Sequence, residues 1–217
     1  MPSSAIEIDA PSDSVPLTSP FASTFTDALK PESVFSAFIE APSSTKNQKK
    51  ERDLEAHSAK KGNVWHFGYK VHIGVDSESG LVHTVQVTAA NVHDVCITAD
   101  LLTGEEEQVY GDSGYLGAEK RPEARKKNTA GKKIRYKINR RPSQSKNNSA
   151  RSQAQIKRRE REKSSVRAKI EHVFAVLKLQ LRYRKTRYRG LQKQTAKVNI
   201  LLALANLILA DRPCLTA

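Results

Sequence analysis

Two stretches of alternating apolar and polar residues dominate the middle of the chain, residues 64–77 (VWHFGYKVHIGVDS) and 81–91 (LVHTVQVTAAN). Period-two alternation rich in Val, Ile and aromatic residues predicts half-buried strands, and Glu78-Ser79-Gly80 supplies the turn of a hairpin. A shorter apolar run at 33–41 (SVFSAFIEA) predicts a strand ending at Pro42, after which residues 42–63 are polar and loop-like. The pattern VCITADLLTG switches to helical spacing, with Asp94 placed to cap its start and Gly104 to stop it. QVYGDSGYLG reads as a strand entering a loop bracketed by glycines, and residues 132–141 read as a further strand. A long basic helix is predicted over 153–182, and beyond Gly190 a second, apolar helix over 192–211. This order predicts a mixed α/β layer fold.

Residues 1–32 are rich in Ser, Pro, Thr and acidic residues without periodicity, so they read as a disordered leader. Residues 33–212 form the domain, 143–152 a flexible connection inside it, and 213–217 a tail. Within the long helix, Arg167, Glu171 and Lys178 are offset by 4 and 11 positions. At about 100° per residue these side chains lie within about 40° of one another. The apolar positions Val166, Ile170, Val173 and Leu177 run to one side of that stripe. Such a stripe is either a solvated face with helix-stabilising pairs or a place where a carboxylate holds a metal while Arg and Lys grip phosphates.

Charge changes the picture. The net charge is +14, yet residues 1–118 hold 8 Lys and Arg against 17 Asp and Glu. Residues 119–193 hold 27 against 5. A split of this kind points to a polyanion gripped by the carboxyl-terminal half, with nucleic acid first because each neutralised phosphate releases counterions. The basic residues spread over strand, loop and helix patterns, which argues against a membrane-surface helix. The longest apolar run, residues 200–210, is too short to span a bilayer and contains Asn206. No secretory signal is visible, and Cys96 and Cys214 form no metal spacing or disulfide framework, so a cytoplasmic protein with reduced thiols is expected.

Asp112, in VYGDSGYLG, follows an apolar strand and stands between two glycines that let backbone or substrate approach its carboxylate. By itself such a loop is an ordinary turn. With Glu171 downstream it becomes half of a constellation, because two-metal phosphoryl transfer needs carboxylates converging on a cation pair. His66 and His72 share one face of their strand, with His83 and His93 near in sequence, and the bland reading is local hydrogen bonding at a sheet edge. A His/Asp metal centre with Asp76 or Asp94 is the alternative. Trp65, Phe67 and Tyr69 are expected in the core rather than on a base-stacking platform. Tyr183 and Tyr188, set among the cations of RYRKTRYRG, are better placed for nucleic-acid contact, although a solvated cationic loop would have the same composition.

Several segments carry a resemblance in series: WHFGYKxHIGVD (65–76), TAANVHD (88–94), GDSGYLG (111–117), RAKIEHVFAVLK (167–178) and YRGLQKQTAKVNILLALANL (188–207). They resemble bacterial insertion-sequence DDE transposases of the insertion sequence five group, over about residues 38–212. The resemblance implies an RNase H-like core in which three acidic residues bind two Mg²⁺, with Mn²⁺ as a substitute. It further implies cleavage of transposon ends and strand transfer into target double-stranded DNA by a homo-oligomer associated with the bacterial nucleoid. Asp112 matches the family's second acidic residue and Glu171 the third, both as catalytic metal ligands. The Tyr-x2-Arg-x3-Glu-x6-Lys signature maps onto Ser164, Arg167, Glu171 and Lys178, with serine in the tyrosine position. Arg167 and Lys178 would contact DNA, joined by Arg182, Arg184, Lys185, Arg187 and Arg189 of the basic loop.

One departure bears on activity. The family's first aspartate lies in a segment like Val-Asp-Ala-Thr-x-Ile-x-Ala-Pro-Ser-Ser, and here Phe35 holds that place in VFSAFIEAPSS. Glu40, five residues on, faces the other side of a strand about 17 Å away. The resemblance fades upstream of Phe38, so a truncated element with an out-of-frame or alternative start is expected. Losing one ligand from a three-carboxylate site predicts little or no strand transfer. Three functions follow: a DDE transposase, a non-catalytic DNA-binding remnant of one, or, as a weaker third, a general basic RNA-binding protein.

Overall fold

A computed structural model describes residues 31–46, 51–124, 126–140 and 150–211. The expected leader up to residue 30, most of the 143–152 connection, and the tail lie outside the described residues. Six strands form one mixed sheet: β1 (Pro31–Glu40), β2 (His57–Lys61), β3 (Val64–Asp76), β4 (Val82–Ala89), β5 (Gln108–Gly111) and β6 (Arg135–Ile138). The helices are α1 (Asp94–Leu101), α2 (Ala150–Ala175) and α3 (Leu191–Ala210). β3 runs antiparallel to β1 along one edge, while β2 pairs with its first half and β4 with its second. β5 lies parallel to β1 and β6 parallel to β5.

The hairpin of β3 and β4 lies where the alternation places it. β2 (HSAKK) falls inside the polar segment read as loop, because a mostly exposed edge strand carries no apolar alternation to reveal it. The β6 strand is shorter than the basic run that predicts it. The two faces of the sheet hold separate cores. Phe35, Ile39, Val71, Ile73 and Val75 meet Ile170, Val173 and Leu177 of the α2 region and Val198 and Leu202 of α3. On the opposite face, Val34 packs with Leu101, Val109, Tyr115 and Ile138.

Two details explain local sequence. Gly68, with φ of 152°, lies against β1, where any Cβ would strike the carbonyl of Ile39. Asn206, the polar residue in the apolar run, pairs with the backbone of Val82 through both its amide groups, accepting at 2.9 Å and donating at 2.7 Å. It satisfies the start of β4 as a neighbouring strand would.

Candidate functional site

The parallel pair of β1 and β5 sets Val34 against Gly111. Phe35 and Asp112 each follow that last paired position by one residue. Phe35 is buried in the core beneath α2, so the position carries an apolar ring. Asp112 itself is extended, and its Oδ1 accepts the backbone N–H of Gly114 at 2.8 Å, opening a short 3₁₀ turn at Ser113–Tyr115.

Asp94 has a different role from the helix cap expected of it. His93 occupies the capping position of α1, and the Asp94 carboxylate turns back to the sheet. Lys70, in the middle of β3, donates to Asp94 Oδ1 at 3.1 Å and to the Val92 carbonyl at 2.7 Å. His72, two residues on, is fully buried with Nε2 2.9 Å from Thr88 Oγ1 and Nδ1 3.8 Å from Asp94 Oδ1. Burial pushes the His72 imidazole down to about 4, with the Lys70 charge adding and Asp94 opposing. The Tyr115 phenol is also fully buried and is held well above its ordinary range by burial, then by the charges of Asp94 and Asp112. A lysine in the interior of a buried alternating strand was the sequence signal for this cluster, since such a cation needs a partner.

Glu171 lies on α2 with its side chain 58% exposed and paired to Arg167 Nε at 2.8 Å. This is the helix-surface pair of the bland reading. Lys178 leaves the predicted stripe. After Ala175 the helix widens into a π turn at Val176–Gln180, which breaks the 3.6-residue period on which the stripe depended. Lys178 is half-buried beside Lys61, Glu40 and Arg184. Burial, then the Lys61 charge, holds its amine below the usual lysine range, against the pull of Glu40. With Phe38 and His66, which stack at 4.9 Å, these residues line an open cleft of about 390 Å³. Glu40 points into this cleft and pairs with His66 at 3.5 Å.

Arg182, Arg184, Lys185, Arg187 and Arg189 are all exposed on the segment between the π turn and α3. Tyr188 is exposed among them, but Tyr183 is buried and donates to Gln194 Oε1 at 2.6 Å, so it is a core residue and not a contact surface. Of the three alternating aromatics, Tyr69 is buried and Phe67 packs against the core. Trp65 departs from the core expectation, at 68% exposed on the β2–β3 hairpin.

Phe35 supplies no ligand, and Glu171 is turned to Arg167. Among the described residues, no group of three His, Cys, Asp or Glu side chains is arranged to hold a metal ion, which also leaves the histidines without a shared centre. With Phe35 in the place that the resemblance gives to the first acid, the chain offers Asp112 and Glu171 but no third carboxylate on β1 at that position. Among the described residues, no helix is long and apolar enough to cross a membrane.

The profile of the family described as Transposase DDE domain matches residues 8–207, starting upstream of Phe38. No solved structure matches the chain.

Proposed function

Because this chain belongs to the transposase DDE-domain family, we propose that it is a DNA-binding protein of transposition whose three-carboxylate strand-transfer centre is incomplete. The observation that carries this reading is the buried ring of Phe35, one residue past the last parallel pair of β1 and β5. A DDE centre needs oxygen ligands from the first strand and from the end of the neighbouring parallel strand to share a cation. An aromatic ring in the first of these places cannot take part. The strand order, with β1 central between antiparallel β3 and parallel β5, supports an RNase H-like reading of the sheet. The motif series supports the insertion sequence five group.

The DNA grip is assigned to the exposed cations at 182–189, with Lys178 and Arg184 at the cleft beside them. Their excess over nearby carboxylates supports backbone contacts to duplex phosphates. The family match favours a second reading, in which Asp112 and Glu171 still serve as metal ligands with Mg²⁺ and strand transfer persists. Incubation with duplexes carrying terminal inverted repeats separates the two. Salt-sensitive binding without end nicking in Mg²⁺ or Mn²⁺ is expected. Nicking that disappears in Glu171→Gln would establish the second reading.

A further inference from the structure

The Trp65 indole is 68% exposed at the tip of the hairpin formed by β2 and β3, and Val64 beside it is 58% exposed. Trp65 is also the only tryptophan in the chain. Side chains alternate along β3, so Trp65 continues the face on which Phe67 and Tyr69 pack toward the core. Tyr69 is buried there, and Phe67 lies under Arg52, whose guanidinium carbon stands 5.8 Å from the ring centre. One position further out the cover ends. An indole left in water gives up one of the largest burial gains that a side chain offers.

The tip presents this ring on a short, tight turn. Gly62, with φ of 62°, opens a two-residue loop, the glycine-first form whose twist matches that of the flanking strands. Register pairs Lys60 with Trp65 and Lys61 with Val64. Directly opposed residues share a face of a sheet, so Lys60 flanks the indole while Lys61 and Val64 take the other face. Lys61 lines the cleft with His66, Lys178 and Arg184, which sets the tip at the rim of the cations assigned above to DNA. Residues 57–67 hold two lysines and no carboxylate.

An exposed ring among cations is the arrangement by which single strands are held, the ring taking the face of a base and the cations the adjoining phosphates. Within a paired duplex the base faces are already stacked, so the ring meets one only where strands are unpaired or splayed. We propose that Trp65 stacks on an unpaired DNA base beside the duplex held at the cleft, with Lys60 and Lys61 on the neighbouring phosphates, a role that rests on the DNA-binding reading above. Docking of a protein surface through the indole would not call for cations on both faces of the tip, whereas a polyanion does. The basic surface also continues inward from the tip to Lys178 and Arg184, which suits a strand entering the cleft better than a flat lipid surface.

The test follows Trp65 emission in the full chain, and the anisotropy of labelled DNA, with three probes. These are a blunt duplex, the same duplex with a short single-stranded overhang, and that duplex with abasic sites throughout the overhang. The abasic probe keeps every phosphate and removes only the bases. Emission should be quenched by the intact overhang and little changed by the other two. Trp65→Ala should weaken binding of the intact overhang about 10-fold. It should leave the blunt duplex and the unfolding curve nearly unchanged, because the side chain is exposed. Trp65→Phe should recover most of the loss, since a phenyl ring still offers a face. Equal affinity for intact and abasic overhangs, or emission unaltered on binding, overturns the stacking site and leaves the DNA-binding reading standing. Emission that responds to anionic phospholipid vesicles and to none of the probes gives the tip to a membrane surface and overturns the site. Failure to bind any of the three probes overturns both.

Discussion

Phe35 and Asp112 each follow by one residue the last parallel pair of β1 and β5, which sets Val34 against Gly111. In this chain position 35 belongs to the core under α2.

Phe35→Asp should therefore destabilise the fold. It removes a buried ring and places a charge among Val71, Ile73 and Ile170, at a cost of about 3–5 kcal/mol. Thermal unfolding should show a fall of roughly 6–20 °C for a domain of this size. Mn²⁺ should restore part of that loss if the new carboxylate and Asp112 share the ion. Phe35→Leu should cost far less and show no metal response.

Replacing Glu171 by Gln should change stability by less than about 0.5 kcal/mol, since its pair with Arg167 is exposed to solvent and screened. Urea unfolding at two salt concentrations checks this. A loss of several kcal/mol would mean that Glu171 holds a buried cation.

Binding to duplex DNA should weaken steeply with salt. Removing one cation from its phosphate should reduce the slope of log K against log salt by about 0.9. Arg184→Ala combined with Arg187→Ala should lower it by about 2 while leaving unfolding curves nearly unchanged, because both side chains are exposed. An unaltered slope in fluorescence anisotropy would move the DNA surface elsewhere.

A pH effect should arise from Glu32, which lies buried near Glu106 with His83 at 3.3 Å. Burial pushes its carboxyl up to about 6 from 4.5, with Glu106 adding and His83 opposing. The folded state thus holds a proton that the unfolded chain releases between these values. Its contribution is present in full below about 4.5 and is lost as pH rises through 6, amounting to about 2 kcal/mol. For Glu106, burial is outweighed by hydrogen bonds from Glu32, Gly104 and Thr103, so its carboxyl shifts downward and acts in the opposite direction below 4.5. Urea midpoints measured from pH 5 to 7 should fall with pH, and Glu32→Gln should flatten that trend.

Asp53→Ala should cost about 2–4 kcal/mol, by orphaning the buried Tyr69 hydroxyl that donates to Asp53 Oδ2 at 2.6 Å and the Gly190 N–H at 3.1 Å. Tyr69→Phe combined with Asp53→Ala should cost less than the two single changes added together. Equality would show that the hydrogen bond carries no coupling.

Local pattern alone determined the β3–β4 hairpin, the β1 and β5 strands and the helices, because alternation and 3.6-residue spacing are properties of neighbours in the chain. The ordered motifs likewise marked the transposase family and the anomaly at Phe35 before any coordinates. Register between strands decided the rest. It set Val34 against Gly111, just before Phe35 and Asp112, and brought Lys70 of β3 to Asp94 of α1, 24 residues away. Asp94 resembles a helix cap in sequence because capping and ion pairing use the same side chain, and only the packing of α1 on β3 selects between them. The charged stripe failed for a comparable reason. Its three members share a face only while the helix keeps one period, and the π turn at Val176–Gln180 ends that period before Lys178.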